Sequence, residues 1–112
     1  GCCGDWIEHL SAAGFPVKVR MVQDTAPTRQ RLGMPGRYGS CHTGLVDGYV
    51  IEGHVPAGDI RRLLSERPEA IGLAVPGMPV GSPGMEMGSQ RDPYDVLLVV
   101  ADDAASVFAS YR

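Results

Sequence analysis

Residues 41–55, CHTGLVDGYVIEGHV, carry the strongest structural signal in the chain. Asp47-Gly48 is a favoured two-residue type I′ turn flanked by β-prone arms, so the stretch predicts an antiparallel hairpin. With those two residues as the loop, Val46 faces Tyr49, and counting outward brings Cys41 opposite His54. Directly opposed side chains share a face with Cβ atoms roughly 4.5–5.5 Å apart, close enough for a thiolate and an imidazole to hold one metal ion. The same alternation sends His42 to the opposite face and ranks His54 above it as the partner of Cys41.

Working outward, "DWIEHLSAAG" places Trp6, Ile7, Leu10 and Ala13 on one helical face, with Asp5 near the start and Gly14 as the stop. "FPVKVRMVQ" alternates as a strand with one buried face. Residues 26–33 predict a helical turn, and "GMPGRYGS" a loop. Beyond the hairpin, Pro56 suits the first turn of a helix in which "AGDIRRLLSER" buries Ile60, Leu63 and Leu64 until Pro68 ends it. The segment "PGMPVGSPGMEMG", residues 76–88, then sets three methionines among glycines and prolines as a loop. "YDVLLVVADDAASVFASY" closes the chain as two strands around an Asp102-Asp103 turn. This order of elements predicts one small α/β domain over residues 1–112, a sheet with flanking helices.

Composition limits the function classes. The 112 residues are 44% hydrophobic and 21% charged, with a net charge of −3 and no basic block to attract nucleic acid or an anionic membrane. The longest apolar run, Val96 to Ala101, is too short to span a bilayer. Sulfur is abundant, with 5 Met and 3 Cys. An odd cysteine count cannot pair fully within the chain, and neighbours such as Cys2 and Cys3 rarely bond to each other. The chain opens on "GCCGDW" without an initiator Met or a leader, which reads as a processed or truncated product.

Cys2 and Cys3 precede the first helix, where free backbone N–H groups and the positive end of the dipole favour thiolate. Met78, Met85 and Met87 add neutral thioether sulfur. Thiolate, thioether and imidazole together select Cu(I) over hard cations. Each type also has a structural role: methionine fills gaps in cores, and Met21 and Met34 are assigned to packing. Cys41 alone would be a buried apolar residue. His9, roughly 10 Å from Cys2 along the helix, is a surface or cap residue. Arg61, Arg62 and Glu66 form a solvated helix face.

The blocks "GCCGDWIEHL", "SCHTGLVDGYVIEGHVPAGDIRRLL" and "GLAVPGMPVGSPGMEMG", in this order, resemble the CopG-like family of small bacterial periplasmic copper-resistance proteins, formerly a domain of unknown function. The resemblance implies a thioredoxin-like fold, a Cys-x-Cys-Cys motif at the first helix, and copper binding, with several ions in a cluster and interconversion of Cu(I) and Cu(II). Cys2 and Cys3 match the second and third motif cysteines; Cys41 and His42 match the "CHT" block, His54 the "EGHVP" block, and Met78, Met85 and Met87 the methionine loop. The first motif cysteine and its preceding strand are missing from this chain, so an incomplete core with an open sheet edge is expected. Such an edge and the adjacent cysteines make a homodimer plausible.

Three function classes follow. The first is a periplasmic copper-binding protein, with Cys2, Cys3, Cys41 and His54 as inner ligands and the loop methionines as auxiliary ligands or a lid; its partners would be the metal and other copper-handling proteins, and copper oxidoreductase activity is an open extension. The second is a thiol-disulfide oxidoreductase with Cys2 or Cys3 as nucleophile and Cys41 as resolving thiol. The third is an assembly module docking through its methionine loop.

Overall fold

A five-stranded sheet, formed among the described residues, carries the molecule. The computed structural model describes residues 2–16, 26–39, 42–76, 79, 81–86, 90, 92–100 and 104–111, without the side chains of Cys2, Cys3 and Arg37. The elements run α1 (Cys2–Ala12), α2 (Ala26–Arg31), a 3-10 turn (Gly36–Tyr38), β1 (Thr43–Val46), β2 (Tyr49–Glu52), α3 (Ala57–Glu66), β3 (Gly72–Ala74), β4 (Tyr94–Val99) and β5 (Ala105–Tyr111). The strand predicted in residues 15–23 and the Asp102-Asp103 turn fall largely or wholly outside the described residues.

The hairpin forms in the expected register. Asp47 and Gly48 both take positive φ, 48° and 87°, as a type I′ turn requires. Val46 faces Tyr49, and the ladder continues to Thr43 opposite Glu52. Every residue of β2 is buried, because β2 has a strand on each side and a layer on each face. Alternation divides it: Tyr49 and Ile51 join Trp6, Leu10, Val55, Ile60, Leu63, Leu73, Val96 and Phe108 in the larger core. Val50 points the other way, into a smaller core with Met34, Tyr38, Ala74 and Val99. Helices α1 and α3 supply the first layer; the segment from Leu32 to Tyr38 supplies the second.

The strand order is β1-β2-β3-β4-β5, antiparallel except for the parallel pair β2–β3, which α3 connects. This confirms the α/β class. Helix α3 follows Pro56, which occupies the cap position rather than the first turn, and ends where Arg67 turns left-handed at φ 52° ahead of Pro68. Ile60 and Leu63 are fully buried as the spacing predicts, and Leu64 is half-buried.

Strand β3 is absent from the sequence reading. Gly-Leu-Ala has almost no strand propensity of its own; its extended form comes from the neighbours on both sides. Gly72 belongs there for a steric reason, since a Cβ on it would lie 1.7 Å from the Val50 carbonyl oxygen.

The face of α3 assigned to solvent also does more than solvate. Arg62 lies over the Phe108 ring at 3.9 Å, donates to the Phe108 carbonyl at 2.6 Å, and pairs with Glu66 at 2.8 Å. It therefore fastens α3 to β5.

Candidate metal centre

The hairpin's open end is where its two histidines emerge, His42 just before β1 and His54 two residues after β2. The Gly53 N–H donates to the His42 carbonyl at 3.1 Å, which extends the ladder by one step. Gly53 then turns with φ 79°, a left-handed conformation that suits glycine and takes the chain out of the pleat. Strand alternation stops applying at that point.

The consequence is a correction to the sequence reading. Alternation predicted His42 on the face away from His54, yet the two rings meet with centroids 4.9 Å apart and planes inclined by 59°. The His42 ring also stacks on Trp6, with centroids 4.2 Å apart.

Both imidazoles are oriented through one nitrogen by a backbone carbonyl. His42 Nε2 lies 2.7 Å from the Gly53 oxygen, and His54 Nδ1 lies 2.5 Å from the Pro83 oxygen. A carbonyl oxygen offers no proton, so each ring nitrogen is the donor. In the neutral rings the lone pairs then sit on Nδ1 of His42 and Nε2 of His54. Metal-ligating histidines typically donate their second N–H to a carboxylate or carbonyl in this way. His42 is also held neutral: burial, opposed by the Gly53 hydrogen bond and aided by neighbouring His54, lowers its pKa from 6.5 to about 4. A neutral imidazole is the form that binds metal.

The methionine loop is fastened to this pair through Pro83. Its described residues from Pro79 to Met85 form a turn, with Gly81 N–H bonded to the Met85 carbonyl at 2.9 Å, Met85 N–H to the Ser82 carbonyl at 2.8 Å, and Ser82 Oγ to the Pro79 carbonyl at 2.7 Å. Residues 82–84 are buried and Met85 half-buried.

Next along the hairpin from the histidines, at the Thr43–Glu52 pair, lies a polar anchor that sequence reasoning missed. Glu52 is fully buried, with Oε1 accepting from Thr43 Oγ1 at 2.6 Å and Oε2 lying 3.0 Å from Arg29 Nε. A buried carboxylate is tolerable only when so partnered, and the pair ties α2 to the base of the hairpin. The hairpin register, with Thr43 opposite Glu52, was the available signal; the contribution of Arg29 is tertiary.

Of the other predicted site residues, Cys2 and Cys3 occupy the first turn of α1, not the approach to it. Hydrophobic spacing begins only at Trp6, so it reads the helix start late. Cys41, Met78 and Met87 lie outside the described residues, as does Met21. Among the described residues no three His, Cys, Asp or Glu side chains converge as a metal site, and the structure brings together His42, His54 and the loop bearing Met85. His9 is a cap, accepting the Ala57 N–H at 3.1 Å at the start of α3. Met34 packs in the smaller core.

The donor chemistry fits a borderline or soft metal ion, with two oriented imidazoles beside a thioether-bearing loop. The model of a family described as a protein of unknown function, DUF411, matches residues 38–85, which span the hairpin, α3, β3 and the loop to Met85. No curated protein matches the chain. Two solved structures do: copper resistance protein copG form 2, 53% identical with a TM-score of 0.94 over 100% of this chain and 90% of that one; and form 1, 54% identical with a TM-score of 0.93 over 99% and 88%. Identity at this level along the whole length, on the same fold, means that the chain belongs to the CopG-like family of copper resistance proteins.

Proposed function

We propose that this protein binds copper in the periplasm as part of copper resistance, holding Cu(I) through Cys2, Cys3, Cys41 and His54, with His42, Met78, Met85 and Met87 completing or covering the site. The observation that carries this reading is the pair of imidazoles in ring contact, each donating one N–H to a backbone carbonyl, with the methionine loop bonded to one of them. The family relationship supports it: the similar solved structures are of a copper resistance protein.

Soft sulfur stabilises Cu(I), and imidazole also accepts Cu(II), so a mixed set serves both oxidation states. On this reading copper exchanges one electron with an external one-electron partner while the rings keep their orientation through Gly53 and Pro83. His42 enters the ligand set on equal terms with His54, because their rings meet.

The test is anaerobic titration of the reduced protein with Cu(I) against a competing chelator, with Cys41→Ser, His42→Ala, His54→Ala and a Met78/Met85/Met87 triple-Ala variant in parallel. Weakened binding in every variant is the expected result. Binding in all of them equal to the wild type overturns the site. Placement of Cys2 and Cys3 in the first turn of α1 also favours reactive thiolates, so thiol-disulfide exchange is the second reading. Exchange activity that survives the histidine and methionine substitutions, without copper binding, would select it.

A further inference from the structure

Trp6 is the chain's one tryptophan, and it is buried. Two separate contacts fix its ring. Its Nε1–H donates to the Val55 carbonyl at 2.9 Å, across 49 positions of sequence, and one face stacks on His42 with centroids 4.2 Å apart and planes inclined by 27°. A Cβ on Gly44 would lie 3.8 Å from Cη2, so the indole also reaches across the start of β1.

A buried tryptophan ordinarily pairs its N–H and stacks its ring on some neighbour; what distinguishes this one is which neighbours it uses. Each contact leads to the histidines. Val55 directly follows His54, and the ring that meets the indole face is His42 itself. The His42 ring therefore contacts both Trp6 and His54, with its Nε2–H on Gly53 restricting its rotation. Cys2 and Cys3 lie one turn before Trp6 in the same helix, so the indole joins the cysteine-bearing helix directly to a histidine of the hairpin.

We infer that Trp6 is a positioning residue for the metal centre: stacked on His42 and tethered beside His54, it sets the plane in which His42 offers Nδ1 to copper. The inference rests on the copper reading for its function, but the orientation of His42 can be measured without metal.

The experiment has two arms. In the first, Cu(I) affinity is measured by chelator competition for the wild type, Trp6→Phe, Trp6→Leu, His42→Ala and the Trp6→Leu/His42→Ala pair. Loss of a group that orients a ligand costs about 10–100-fold in metal affinity, so Trp6→Leu should fall in that range. Trp6→Phe, which keeps a stacking face, should recover most of it. The double variant should bind no more weakly than His42→Ala alone, because Trp6 acts through His42. Losses that multiply in the double variant, or no loss in Trp6→Leu, overturn the inference.

In the second arm, imidazole nitrogen correlations are recorded on the metal-free proteins. The wild type should show a single His42 tautomer protonated on Nε2, Trp6→Phe should retain it, and Trp6→Leu should lose it. An unchanged His42 signature in Trp6→Leu overturns the positioning role. If the wild type fails to take up Cu(I), the copper reading falls, and this second arm still decides whether Trp6 orients the ring.

Discussion

His42 shows how one side chain acquires chemistry from its surroundings. Its pKa is lowered chiefly by burial, so the native protein holds it neutral down to about pH 4, whereas the unfolded chain takes up a proton near pH 6.5. Between these values the unfolded state binds more protons, so this contribution to stability is complete above about pH 6.5 and is lost as the pH falls toward 4. Urea unfolding of the metal-free protein from pH 7 to pH 4 should therefore lose more stability in the wild type than in His42→Gln; parallel curves would contradict the assignment. Glu52 is the second case. Glu52→Ala would leave Arg29, 11% exposed, without its buried counter-charge, and should cost about 3–5 kcal/mol in urea unfolding. Replacing both residues by methionine should cost much less, because the charge and its counter-charge leave together.

At the scale of elements, the hairpin was legible and β3 was not. Asp47-Gly48 has few conformations open to it other than the tight turn, so local chemistry settles both the turn and the register. β3 has no comparable local preference: three small or plain residues are made into a strand by β2 and β4, and a sequence carries that information only through distant positions. The candidate site divides in the same way. The count across the turn gives the pairing as far as Thr43 opposite Glu52. It does not give the meeting of the two histidines, because the count holds only inside a ladder and Gly53 ends it. Trp6 against His42, His9 at the start of α3 and Arg62 over Phe108 are likewise tertiary. Where Gly72 passes Val50 the fold leaves room for no side chain at all, so Gly72→Ala should destabilise by about 3 kcal/mol or more, or yield insoluble protein. A soluble variant of native stability would show that β2 and β3 can separate without loss.

For the whole molecule, the sheet consists of two hairpins, β1–β2 and β4–β5, joined through three residues. Among the described residues its outer strands are β1 and β5, where Leu45 and Val107 are more than half exposed. No helix among the described residues is long and apolar enough to cross a membrane. The histidines rise from the first hairpin, and the methionine loop leaves β3 and returns to β4, so the two groups come together only when β3 is in place. Time enters here. Each hairpin closes locally, in roughly microseconds, whereas β3 must pair in parallel with β2 across the whole of α3 and then with β4. During refolding, pulse-labelled amides of β1–β2 and β4–β5 should gain protection first. The Ile71 and Val75 amides, bonded to Val99 and Glu52, should follow only with the final step. A newly made chain thus has its histidines on one early-formed piece and its methionine loop tied to another, and the two meet last, after the sheet has closed.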